Sequence, residues 1–231
     1  MRLPQLKPAR LIRRYKRFLA DVTFEDGTEA TIHCPNPGSM MGLATPGARV
    51  WTSLSPDPAR KLPHTLELVE AENGALVDVN TMRPNKLAEE ALAAGVIPDL
   101  GGYPTVRREV RYGEASRVDF LLEGLDRPAC WVEVKGVTLS RTPGLCEWPD
   151  GVSARATKHL AELVARVEAG DRAVVLFIVQ RSDCDRFTAA ADIDPKFAKA
   201  LAVAMAAGVE ALVYSCKVTL ENIAITAWIA P

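Results

Sequence analysis

Apolar and polar residues alternate through the first third of the chain. Residues 11–24 set apolar positions against basic ones, and a period of two marks a half-buried strand. Shorter runs of strand-forming residues occupy 28–34, 48–54, 64–71 and 75–79. Turn formers separate them: Asp26-Gly27, Pro35-Asn36-Pro37-Gly38, Pro46-Gly47, Pro56-Asp57-Pro58 and Asn73-Gly74. Roughly five short strands in about 80 residues predict a small closed β-barrel, with a small sandwich as the alternative.

The pattern changes near Asn80. A helix is expected over 84–94, opened by Pro84 or Asn85 and closed by Gly95. Strands are expected over 106–112, 118–122 and 130–139. Residues 153–168 place Leu160, Leu163, Val164 and Val167 at helical spacing and run out at Gly170. A buried-type strand over 173–180, a helix over 195–207 and strands over 211–218 and 223–229 complete the chain. Helices mixed with strands predict an α/β domain (α+β over the whole chain) with a mixed central sheet flanked by helices. The expected division is a barrel over 1–80 and a second domain over 81–231, without internal repeats.

Composition narrows the function classes only a little. The chain has 231 residues, 48% hydrophobic and 25% charged, with a formal net charge of −1. That balance excludes the wholly basic class of nucleic-acid binders. The distribution is less even: residues 1–20 hold seven Lys or Arg and no acid. Arg13, Arg14, Lys16 and Arg17 among them could meet phosphates, although a solvated basic segment explains the charge equally well. Small barrels of the OB type bind nucleic acid, and Tyr15, Phe18 and Trp51 could stack on bases. Barrel core or rim is the plainer role for these aromatics, Phe18 above all. Five cysteines without a CxxC pair argue against a disulfide framework and a zinc site. They suit a reducing compartment, so a cytoplasmic protein is expected. The longest apolar stretch, 173–179, is far too short to span a bilayer, and no membrane role is expected.

The chemistry concentrates in Arg117-Val118-Asp119-Phe120 and Val132-Glu133-Val134-Lys135. Charges inside apolar strands need partners, because burying a lone charge is costly. Side chains alternate along a strand, so Glu133 and Lys135 share a face. If the strands pair as a hairpin about Asp126, Asp119 falls opposite Glu133. Two carboxylates across a ladder repel, and a divalent cation between them relieves the repulsion. Lys135 beside them could stabilise the charge that develops at an attacked phosphate or help to deprotonate water. A salt bridge of Glu133 with Lys135 or Arg117 is the ordinary structural explanation. The spacing Asp…Glu-x-Lys resembles that of PD-(D/E)xK nucleases.

Members of that superfamily often add a glutamate from a helix ahead of the sheet. In the helix over 84–94, Glu90 lies nearer the apolar face set by Leu87, Ala91 and Ala94 than Glu89 does, so Glu90 is the expected third acid. In the helix over 153–168, Arg155 and Lys158 lie opposite the apolar stripe and could touch phosphates. A solvated face with a Lys158–Glu162 pair is the commoner arrangement. Asp150 could supply a further acid or simply form a turn. His33, His64 and His159 share no ligand spacing, and structural or surface roles are expected for each.

Longer segments widen the likeness. Arg14-Tyr15-Lys16-Arg17-Phe18, His33-Cys34-Pro35-Asn36-Pro37-Gly38-Ser39-Met40, Val79-Asn80-Thr81, Pro84-Asn85-Lys86-Leu87, Ser116 to Phe120, Val132 to Lys135, Pro149-Asp150 and Lys158-His159-Leu160 occur in one order. Together they resemble the sugar fermentation stimulation protein A (SfsA) family of bacteria and archaea. The resemblance implies an OB-like barrel followed by a PD-(D/E)xK nuclease-like domain, and DNA binding with little sequence preference. It also implies a link to maltose-gene regulation. Transferred residue by residue, it implies Asp119, Glu133 and Lys135 as catalytic groups, with Glu90 as the helical acid. The expected cofactor is Mg²⁺ or Mn²⁺, held by Glu90, Asp119 and Glu133. The expected partner is DNA, with RNA as an alternative, and an exposed sheet edge could support a homodimer. Two positions depart from the family pattern: Pro37 stands where threonine is usual, and Ala156 where glycine is usual.

Overall fold

The computed structural model describes residues 1–112 and 116–230. The predicted strand over 11–24 is a hairpin, β1 (Leu6–Tyr15) and β2 (Leu19–Phe24), turning through Lys16 and Arg17 at positive φ. Next come β3 (Glu29–His33), β4 (Arg49–Leu54), β5 (His64–Glu70) and β6 (Leu76–Asp78). Their order is β3-β2-β1-β4-β5-β6, and pairing of His33 with Thr65 joins β3 back to β5. This closes a five-stranded OB-type barrel with β6 added at its side. Val22, Ile32, Val50, Leu66 and Val69 fill it.

The second unit begins with α1 (Pro84–Ala93), followed by β7 (Thr105–Tyr112), β8 (Ser116–Glu123) and β9 (Cys130–Val137). A short excursion, β10 (Leu139–Thr142) and β11 (Gly144–Trp148), leads to α2 (Ala154–Glu168) and β12 (Arg172–Val179). The chain ends with β13 (Cys184–Ala189), α3 (Pro195–Ala206), β14 (Glu210–Val218) and β15 (Ile223–Ile229). The main sheet runs β15-β14-β12-β9-β8-β7, parallel in its centre and antiparallel at both sides. β12 is buried nearly throughout, as a central parallel strand must be. Leu87, Ala88 and Ala91 of α1 cover one face, and Leu160, Leu163, Phe197 and Leu201 of α2 and α3 cover the other. Ser153 caps α2 by accepting the Ala156 N–H.

Three further elements departed from expectation. β10, β11 and β13 form a separate small sheet, where the sequence reading placed one long strand to residue 139 and loops. The Gly, Pro and Thr content of 138–144 and the charged Asp183–Arg186 stretch hide the alternation there.

The two units share packing. Trp51 and Leu68 of the barrel strands belong to the same buried cluster as Leu87, Leu176 and Ile178. A polar seam runs beside it. Arg83 Nη2 donates to Glu67 Oε2 at 2.6 Å and its Nη1 to Asp78 Oδ1. Gln180 Nε2, at the end of β12, donates to Asp78 Oδ2 at 2.7 Å. A second clasp is the 36–40 loop. Arg14 donates to the carbonyls of Asn36 and Gly38 at 2.7 Å, while Asp150 accepts the Met40 N–H at 3.2 Å. A Cβ on Gly38 would overlap the Asp150 carboxylate. No helix among the described residues is long and apolar enough to cross a membrane.

Candidate functional site

Asp119 on β8 and Glu133 and Lys135 on β9 come together. The ladder pairs Phe120 with Val132, Leu121 with Trp131 and Leu122 with Cys130, the register that a turn centred on Asp126 predicts. It stops one step short of pairing Asp119 with Glu133. Asp119 Oδ2 instead accepts the Val134 N–H at 2.7 Å, and its Oδ1 accepts Asn85 Nδ2 at 2.7 Å. The α1 helix thus reaches the site through an amide.

Glu133 is only 4% exposed. Its Oε1 accepts from Lys135 Nζ at 2.7 Å and from His159 Nδ1. Arg155 Nε donates to His159 Nε2 at 3.4 Å. A neutral His159 therefore carries its proton on Nδ1, aimed at Glu133. Glu133 Oε2 is buried and has no hydrogen-bond partner among the described residues. Burial opposes the charge on Glu133, but His159 and Lys135 outweigh it and hold the carboxyl below its usual range. Asp119 moves the other way. Burial and then the nearby Glu133 charge push it up, against the pull of the Val134 N–H and Asn85.

Tyr112 closes one side. Its ring stacks on Trp131 at 5.8 Å between centroids and meets His159 edge-on at 6.4 Å. Its hydroxyl is buried, and burial with the Glu133 and Glu162 charges drives its pKa up. Glu162 accepts from Ser116 Oγ at 2.7 Å and pairs with Lys158 at 3.5 Å.

The donor set suits a hard divalent cation. Mg²⁺ commonly takes one or two carboxylates and completes its shell with water and phosphate oxygens. Asp119 and the partnerless Oε2 of Glu133 meet that requirement. No group of three or more His, Cys, Asp or Glu able to hold a metal occurs among the described residues. Chemistry here would therefore depend on water and substrate oxygens as further ligands.

The other expected residues are distributed as follows. Glu90 does not join the site. It is exposed and pairs with the N-terminal ammonium of Met1 at 2.7 Å. The helix turns Leu87, Ala88 and Ala91 inward, which leaves Glu90 on the outer side. Glu89 pairs with Arg108 at 2.7 Å. Arg14 is spent on loop carbonyls, so it organises the 36–40 loop and is not free for phosphate. Arg13 pairs with Asp21 at 2.8 Å. Lys16 and Arg17 are exposed at the β1–β2 tip beside Phe18, which is 49% exposed at the barrel rim. Tyr15 bonds Asp21 at 3.1 Å, and Trp51 lies in the core. Arg155 and Lys158 are exposed at the site's edge.

The sequence reading missed His159, Asn85 and Tyr112. The signal for His159 was available: it falls one position before Leu160 on the inward stripe of α2. Pro37 is exposed, and the Ala156 N–H is committed to the Ser153 cap, so neither departure from the family pattern disturbs the carboxylates.

Gly136, next to Lys135, is tightly held. A Cβ there would overlap Gln180 Oε1 and come within 2.7 Å of Pro84 Cγ. Gly136→Ala is expected to destabilise the fold by about 1–3 kcal/mol, the usual cost of overpacking. Urea unfolding checks it; an unchanged midpoint would mean that the packing around Gly136 is soft.

The comparisons agree with this architecture. Residues 12–79 match the SfsA N-terminal OB domain, and residues 82–222 match the sugar fermentation stimulation protein RE domain. A protein described as a sugar fermentation stimulation protein homolog from Caulobacter vibrioides is 55% identical over 226 residues, 97% of this chain and 94% of its own length. Another from Rhodospirillum centenum is 58% identical, covering 97% of both chains. The structure of Pyrococcus furiosus SfsA in complex with Ca²⁺ superposes with a TM-score of 0.87 at 27% identity, covering 100% of this chain and 97% of that one. The chain belongs to the SfsA family of sugar fermentation stimulation proteins.

Proposed function

We propose that this protein binds nucleic acid, DNA in the first instance, and hydrolyses its phosphodiester bonds with Mg²⁺ or Mn²⁺ and little sequence specificity. The observation that carries the reading is Glu133. A buried carboxylate with one oxygen committed to Lys135 and His159 and the other without a partner among the described residues, beside a second carboxylate, has the form of a cation ligand. A bound divalent ion would offset the two negative charges and lower the pKa of a coordinated water. Lys135 holds a positive charge where a phosphate would meet the pair. His159, steadied by Arg155, fixes the Glu133 carboxylate in place. The Pyrococcus relative was solved with Ca²⁺, an oxygen-seeking cation of the same hard class. An OB barrel ahead of the site suits strand binding, and five free buried cysteines suit a cytoplasmic protein.

A second reading has its own support. Helix α1 presents Asn85 where a third carboxylate would strengthen the cation site. A non-catalytic, non-specific DNA-binding protein with a regulatory role in sugar metabolism fits that economy of acids. Labelled single- and double-stranded DNA and RNA, incubated with Mg²⁺, Mn²⁺ or EDTA, separate the two. Cleavage that needs metal and falls sharply in Lys135→Ala supports the nuclease. Salt-sensitive binding without cleavage of any substrate would leave the binding protein.

A further inference from the structure

We infer that Arg111 and Arg117 form a two-arginine clamp for the nucleic-acid backbone that delivers a strand to Asp119 and Glu133; this rests on the proposed nucleic-acid role. The two residues are direct cross-strand partners in the β7–β8 ladder. Both are exposed. Like charges placed opposite each other across a ladder destabilise a sheet, so the arrangement calls for an anion.

The rest of the hairpin sharpens the contrast. Arg107 pairs with Glu123 at 3.5 Å and Arg108 with Glu89 at 2.7 Å. Arg111 and Arg117 have no acidic partner among the described residues. The Glu162 carboxylate gives one oxygen to Ser116 and Lys158, and its other oxygen is buried away from the surface where Arg111 and Arg117 are exposed.

Position supplies the second argument. Arg117 lies two residues before Asp119; Ser116 and Val118 face the α2 side, so Arg117 takes the side of β8 from which Asn85 of α1 reaches Asp119. β7 is the edge of the main sheet, so its side is open to a long ligand. Glu109, at positive φ, interrupts the ladder opposite Asp119, with Arg108 paired to Phe120 and Val110 to Val118 on either side in unbroken register. What the edge then offers is guanidinium forks, which match phosphate oxygens in geometry. A polyphosphate backbone is the anion that can span the clamp and reach Asp119, two residues from Arg117.

The test is binding of a labelled 20-base-pair DNA duplex at several KCl concentrations, with the full chain and the R111A/R117A variant. Each lost phosphate contact removes about 0.9 from the slope of log affinity against log salt. The double variant should therefore lose about 1.8 and bind more weakly, while R111K/R117K keeps a slope near wild type. Arg117→Gln alone, losing about 0.9, serves if the double variant does not melt cooperatively. A folded variant with the wild-type slope overturns the clamp, even if metal-dependent cleavage is seen. A reduced slope together with full cleavage by Glu133→Gln upholds the clamp and removes the catalytic reading. Absence of salt-dependent binding by the wild type overturns both.

Discussion

Glu133→Gln is expected to lower metal-dependent cleavage by about 10²–10³-fold or more, the scale of losing one preorganised charged group at a reacting centre. Binding of nucleic acid should survive, since the exposed cations are untouched. The substitution keeps the shape of the side chain but removes the charge that His159 and Lys135 stabilise. It also removes the second cause of the raised Asp119 pKa, after burial. The Asp119 carboxyl should therefore titrate lower in the variant, which carboxyl-directed ¹³C NMR can follow. The sign matters for the cation too. A carboxyl must lose its proton to hold a divalent ion, so apparent Mg²⁺ affinity in the wild type should climb as pH rises through a range above that of an ordinary aspartate. Glu133 itself contributes stability above its unfolded pKa, and this is lost as pH falls through its depressed folded value. Full cleavage by the variant would sink the catalytic assignment.

Arg83→Leu should cost about 3–5 kcal/mol of stability, because it leaves the buried Glu67 and Asp78 carboxylates without their shared cation. Arg83 is 6% exposed, and both acids are buried as well. Against a total stability of about 5–15 kcal/mol, that loss is severe. Burial lifts Asp78 to about 6 even with Arg83 beside it. A carboxyl raised in the folded state contributes stability below its unfolded value and loses it as pH rises through about 6. Without Arg83 the lift should grow, so the variant's deficit is expected to narrow at acid pH, where Asp78 is protonated. Urea unfolding of both proteins between pH 5 and 8 measures this. A small deficit, flat across that range, would show that the seam tolerates an unpaired acid.

The sequence exposed the carboxylate-bearing hairpin because strand periodicity and a turn around Asp126 fix the register of β8 on β9. Nothing else was needed to bring Asp119 near Glu133. The helices were equally plain from their spacing, and Pro84 and Ser153 marked their starts. Rotation of α1 was harder to read. A wheel built on Leu87, Ala91 and Ala94 favoured Glu90, but Ala94 lies beyond the last turn and is exposed, while Ala88 is buried. With that change the inward polar group is Asn85. His159 was passed over because isolated histidines carry no spacing signal. Its role depends on a contact between α2 and β9, which only tertiary packing reveals. The Arg14 guanidinium shows the same limit from the other side. Its charge suggested phosphate, yet four loop carbonyls surround it.

The seam between barrel and sheet has a bearing on how the chain can change. Gly38 with Asp150, Asp78 with Gln180, and Glu67 and Asp78 with Arg83 are matched across it. A recombinant that joined the barrel of one relative to the sheet domain of another would inherit half of each match. The two parts look like exchangeable modules in order along the chain, but substitutions at these positions have to arise as sets, so the interchangeable unit is the whole protein.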